Sequence, residues 1–320
     1  MRLAHYSEPS SWWPPSSLAS LQRCSMSAEG IVAHTGKTPE PHDVFGAWAV
    51  DVTSLVMLGA IGVLYWLAVH RSGSGPKARN SLRFWLGLGV TALAVASPLD
   101  LMADALASAH MVQHVLLVMI AGPLFATAEP VASILESVPR SIRKTTGRLR
   151  RQLGLTPARV TGLAPAMVWL VLAGSIWFWH AAGPYELALE NSLAHLLEHA
   201  MFLGSSVLFW SVVLRPHPRF GPGTGFRVLM VFTMALQGVL LAALMTFAPS
   251  PWYPTYMISA PAWGLDALTD QQIAGLVMWI PAGLIYTGIG ISLVVEWVSA
   301  DSDREQRRHP SRTRPRRADS

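Results

Sequence analysis

"SAHMVQHVLLVMIAGPLFATA", residues 108–128, is an apolar run long enough to cross a bilayer. It opens with two histidines four residues apart, His110 and His114. Ionisable side chains within a membrane span are costly and normally face the bundle interior. The stretch therefore predicts a membrane helix with a polar task near one end.

Six further apolar runs surround it, at 48–69, 82–99, 162–180, 194–214, 226–248 and 272–297. The bulk composition agrees. The 320 residues are 51% hydrophobic and 13% charged, about half the charged content of an ordinary soluble chain. The expected fold is an all-α, polytopic membrane helical bundle of seven transmembrane helices, occupying 46–299. Residues 1–45 read as an extracytoplasmic, largely disordered extension, with either Met1 or Met26 as the true start. Residues 300–320 read as a basic disordered tail. With Cys24 as the one cysteine, an intrachain disulfide and a multi-cysteine metal site are both excluded.

The basic residues set the direction of threading. Arg71, Lys77, Arg79 and Arg83 fall in the first connection, a cluster from Arg140 to Arg159 in the third, and Arg215, Arg219 and Arg227 in the fifth. The tail carries seven arginines, from Arg304 to Arg317, while the second, fourth and sixth connections carry no Arg or Lys. That alternation predicts the N-terminus outside and the C-terminus in the cytoplasm. It also accounts for the net charge of +5 without a nucleic-acid surface. The basic third connection, with spaced Ile and Leu, is expected to lie on membrane lipid.

In this topology the fifth span runs in the same direction as the third, and it begins "LAHLLEHAMF". His195 and His199 repeat the i, i+4 spacing of His110 and His114. Such a pair shares one helix face and can aim both imidazoles at one point. The fourth span runs the other way and ends in "WFWHAAG", which brings His180 to the same side. Five histidines on three helices thus gather in the outer third of the membrane. Neutral imidazole suits copper, zinc, nickel and haem iron, and an adjacent thioether such as Met111 favours Cu(I). A carboxylate that accepts the second imidazole N–H fixes the ring tautomer. Glu198 and Asp104 are the candidates for that role, with Asp51 a further one. Asp100, Glu186, Glu190, Asp266 and Asp270 read as a solvated acidic rim. The long sixth connection, rich in proline and aromatics, reads as an interfacial loop or a lid.

No phosphate-binding glycine loop, nucleophile elbow or His-Glu-x-x-His protease motif is present. These absences leave none of those catalytic motifs to build an enzyme reading on. Two other readings use the same residues. A b-type cytochrome or haem-handling protein would take one histidine from each of two helices, such as His114 with His199. A proton-coupled transporter would need polar groups continuing through the midplane, where Gln237 is the partial exception.

The chain also resembles a known family, the seven-span CtaG-like assembly factors of caa3-type cytochrome c oxidase. The resemblance lies in "PHDVFGAWAVD", "ASPLDLMADALASAHMVQHVLLVMIAGPLF", "FWHAAGPYELALENSLAHLLEHAMFLGSSVLFW" and "LTDQQIAGLVMWIPAGLIY", and it covers roughly residues 33–298. It implies a role in maturing a haem-copper terminal oxidase in the bacterial cytoplasmic membrane, by delivering copper to its copper centre. The partner implied is the oxidase subunit that carries that centre. The residues implied to handle copper are His110, His114, His180, His195 and His199.

Overall fold

The computed structural model describes residue 41 and residues 52–71, 78–130, 157–216 and 221–308. Asp51, the N-terminal extension, the basic stretch at 131–156 and the tail beyond 308 lie outside the described residues. All regular structure among the described residues is helical. The elements are α1 (Val52–Arg71), α2 (Ala78–Val95), α3 (Pro98–Ala105) and α4 (Ala107–Val115), then a π-helical segment (Leu116–Ala121) and α5 (Gly122–Ala128). There follow α6 (Pro157–His180), α7 (Ala182–Glu190), α8 (Ser192–Leu214), α9 (Thr224–Thr246), α10 (Tyr256–Ser259), a 3-10 turn (Ala260–Trp263) and α11 (Ala267–Arg308).

Five of these stretches are long and apolar enough to cross a membrane, and the number reaches seven if two bent pairs each count as one span. The bent pairs are α2 with α3, at 43°, and α6 with α7, at 75°. Both bends fall at helix-breaking sequence. Ser97 caps α3 by accepting from Leu99 N, and Pro98 occupies the first turn, where no N–H is needed. Ala181, in extended geometry, separates α6 from α7. The last helix continues through Arg308, past the boundary expected at 300.

Each short helix leads into a histidine helix. α3 and α4 are separated only by Leu106, and α7 and α8 only by Asn191. Neither short helix was read from hydropathy, because each is shorter than a span. Together they place the starts of α4 and α8 at one end of the bundle, where α6 finishes.

The two histidine helices pack tightly below their histidines. A Cβ on Gly122 would stand 2.0 Å from Ser206 Oγ, so only glycine allows this approach. The π segment above it solves a proline problem. Gly122 N–H bonds back to Leu117 O, five residues earlier. The next donor in that register would be residue 123, a proline with no N–H. The orphaned Val118 carbonyl is taken up from α8, by Ser206 Oγ at 2.7 Å and Trp210 Nε1 at 3.0 Å. A covalent constraint in one helix thereby becomes a bond to the other.

Candidate metal centre

The five predicted histidines occupy one small volume. Ring centroids are 4.4 Å apart for His110 and His114, 4.2 Å for His195 and His199, and 5.7 Å for His114 and His199. His110 lies 5.4 Å from His195, and His180 lies 5.7 Å from His114. None of the rings is more than 8% exposed, so they face one another and not the lipid.

Glu198 stands among the imidazoles rather than behind them, which corrects the supporting role expected for it. Its two oxygens lie 3.4 Å from His110 Nε2 and 3.4 Å from His114 Nε2, and the residue is 0% exposed. These approaches are not aligned as hydrogen bonds. His110 Nε2, both nitrogens of His114, His199 Nε2 and both Glu198 oxygens have no hydrogen-bond partner among the described residues. Buried polar atoms are rarely left so. One ligand atom from each of His110, His114, Glu198 and His199 lies within 4.8 Å of the other three. Ligands about 2.1 Å from a tetrahedral ion stand roughly 3.4 Å from one another, so the two His–Glu distances are compatible with ligands of one ion, and the group as a whole is wider, up to 4.8 Å.

His180 sits at the edge of this group. Its Nδ1 meets Ile176 O one turn back, at 2.7 Å, which turns Nε2 toward the cluster. There it meets Met111 Sδ at 3.3 Å. Met111 itself is fully buried. A soft thioether–imidazole pair thus adjoins the imidazole–carboxylate group.

The groups that hold the rings differ from those expected. Among the described residues Asp104 makes no hydrogen bond to a histidine. The partner near His110 Nδ1 is the Tyr256 hydroxyl, 3.5 Å away, which also donates to Ala103 O. Tyr256 belongs to a tyrosine trio. Its hydroxyl is 3.0 Å from that of Tyr185, and Tyr185 stacks on Tyr253 at 3.7 Å. Tyr253 in turn donates to His180 O at 2.9 Å. The sixth connection therefore folds down onto the histidines through Tyr253 and Tyr256. The only hint in the sequence was its aromatic "WYPTY".

The acidic rim is also mostly engaged. Asp270 is 0% exposed and receives Ala107 N at 2.6 Å, Ser108 Oγ at 2.5 Å and Ser108 N at 3.2 Å, closing the start of α4 from 163 residues away. Glu186 binds the backbone and hydroxyl of Thr255. Asp266 caps α11 through Leu268 N and Thr269, and the Thr269 hydroxyl bond holds its carboxyl below the usual range. Asp100 accepts from Gln113 Nε2 at 2.8 Å, which pins α3 to α4 between the two histidines. Beyond the cluster Ser175, Ser205, Ser206 and Tyr286 are also buried. Phe202 covers His114 at 4.4 Å, and Gln237 accepts from Trp177 Nε1 at 2.7 Å.

The comparisons with known proteins bear on the whole chain. No curated protein and no solved structure gives a match. The model of one family, described as the cytochrome c oxidase caa3 assembly factor, matches residues 63–300, which include both histidine helices and the helix that carries Asp270. By that match across most of its length, the chain belongs to the cytochrome c oxidase caa3 assembly factor family.

Proposed function

We propose that this multi-pass membrane protein binds copper at the His110–His114–His199–Glu198 group and passes it to the copper centre of the oxidase it helps to assemble. The observation that carries the reading is that His110, His114, His199 and Glu198 each bring one ligand atom within 4.8 Å of the others, all buried, with nitrogens and oxygens that make no hydrogen bond among the described residues. Imidazole binds copper well, and the Met111–His180 pair adds a soft donor for Cu(I). The family supplies the acceptor, an oxidase under assembly. The reaction is ligand exchange, and the chain acts as a carrier rather than an enzyme. Seven spans, with the N-terminus outside the bacterial cytoplasmic membrane, would put the group on the extracytoplasmic side, surrounded by lipid and open to the oxidase subunit that receives the metal.

An ion suits the site better than a macrocycle. Glu198, fully buried and within 3.4 Å of both His110 and His114, puts a carboxylate among the imidazoles, and imidazole with carboxylate is a ligand set for an ion.

The test is the metal content of the detergent-purified protein after anaerobic loading with Cu(I). The expected result is near one equivalent of copper and no Soret band. In a His114→Ala/His199→Ala variant the copper should fall at least tenfold. A Soret band in the purified protein, or copper unchanged in the variant, would overturn the reading.

A further inference from the structure

Among the described residues, two cavities that reach the histidine cluster share no lining residue. The first has a volume of about 460 Å³ and lies between α1, α2 and α8. It touches the cluster at His195 and His199, and Thr53, Asp100 and Ser192 give it polar walls. The second is narrow, about 60 Å³, and lies between the first histidine helix, α6, α9 and α11. It touches the cluster at His114 and His180, and its other sulfur-bearing walls are Met119, Met234 and Met278.

The donor chemistry differs between the two sides. The wide cavity offers a carboxylate, hydroxyls and imidazoles, in a volume that admits an ion with water still bound. The narrow one offers thioethers and imidazoles in a space suited to an ion stripped of water. Thioether is the donor that prefers Cu(I). Between the two stand His110, His114, His199 and Glu198, with His114 open at both nitrogens. His114 lies 5.7 Å from His199 on one side and 5.7 Å from His180 on the other. An ion can therefore move by exchanging one ligand at a time.

We propose that the cluster is a two-sided station, which Cu(I) enters through the wide cavity at His195 and His199 and leaves through the methionine-lined crevice at His114 and His180. This rests on the copper reading and adds a direction to it. No redox step is involved, because the ion keeps its charge and only its ligands change. Gly238 lines the crevice within the apolar length of α9, and on this route the ion leaves there, toward a neighbouring membrane protein.

The two routes can be plugged separately. Met57 lines the wide cavity on α1, and Gly238 lines the crevice, with no atom within 4 Å of a Cβ built there. Loading is followed in stopped flow from a Cu(I)–glutathione solution, and unloading by transfer from the loaded protein to bicinchoninate. Met57→Trp should slow loading at least tenfold and leave unloading within twofold. Gly238→Trp should do the reverse. Met234→Leu/Met278→Leu, which keeps the apolar volume, should slow unloading about fivefold while equilibrium copper stays near one equivalent. Copper held normally, with both plugs slowing both steps alike or neither step changing, would overturn the route and leave the copper site standing. An unmodified protein that takes up no Cu(I) would remove both.

Discussion

The two histidine helices carry the same spacing and meet at the same point, yet they begin in different ways. At the start of α8, Asn191 accepts from Leu193 N and Ala194 N, each at 3.0 Å, so the cap lies in the same few residues as the helix. At the start of α4 stands Leu106, whose side chain caps nothing. Its place is taken by Asp270, which belongs to the last helix. One helix is fixed by its own sequence and the other by the completed fold. The helix that begins with α4 is also interrupted, by the π segment and Pro123, and it passes its orphaned carbonyl to α8. Half of the centre is thus a local structure, and the other half is held in place by what surrounds it.

That contrast can be broken in stages. The largest effect is expected from Asp270→Ala. It removes a buried acceptor from three donors and should cost about 3 kcal/mol. It should lower the Tm in detergent and, by freeing the start of α4, reduce copper retention as well. Asp270→Asn keeps one acceptor oxygen and should fall between the variant and the unmodified protein. Unchanged stability in Asp270→Ala would mean that α4 does not need its distant cap.

A smaller loss, about 2 kcal/mol, is expected from Gly122→Ala, because the new methyl group meets Ser206 at 2.0 Å and forces the two helices apart. Ser206→Ala in the same chain should restore only part of the loss, since Ser206 Cβ is itself 2.9 Å from the added atom. Full rescue would show that the hydroxyl alone sets the spacing.

Asn191→Ala should have the smallest effect, about 1 kcal/mol, the usual value of an exposed helix cap. Its copper content should stay at the unmodified level, since the rest of α8 is fixed by its own packing. If Asn191→Ala lost more stability than Asp270→Ala, the distinction between a local and a distant anchor would be wrong.

The same division explains what the sequence revealed. The i, i+4 histidine pairs, the direction of their helices and His180 at a helix end are local patterns, and they were enough to bring five rings to one end. Asn191 before an apolar helix is a local signal too. Asp270 gave no such signal. In the sequence it is one more acid at the edge of a loop, and it was read as part of a solvated rim. Its role depends on a contact 163 residues long. Tyr185, Tyr253 and Tyr256 were missed for the same reason, because their pairing spans 68 to 71 positions of chain. Glu198 was found but set behind the imidazoles. Which side of a helix meets a neighbour at such close range depends on how deep the helices pack, and Gly122 and the π segment decide that depth. Asp104, expected to support a ring, makes no hydrogen bond to a histidine among the described residues, and the Tyr256 hydroxyl is the side chain 3.5 Å from His110 Nδ1.

The tyrosines and Asp270 also have a consequence for biosynthesis. The ribosome makes this protein from its N-terminus, and a nascent chain that ends at Thr246 already contains all five histidines. It lacks Tyr253, Tyr256 and Asp270, the groups that cover and anchor them. The pocket therefore closes only when the last helix has been inserted. A truncated or stalled chain would hold its imidazoles loosely, and the finished protein alone would have the ordered set. The last elements to be made are thus the ones that complete the cover over the five rings.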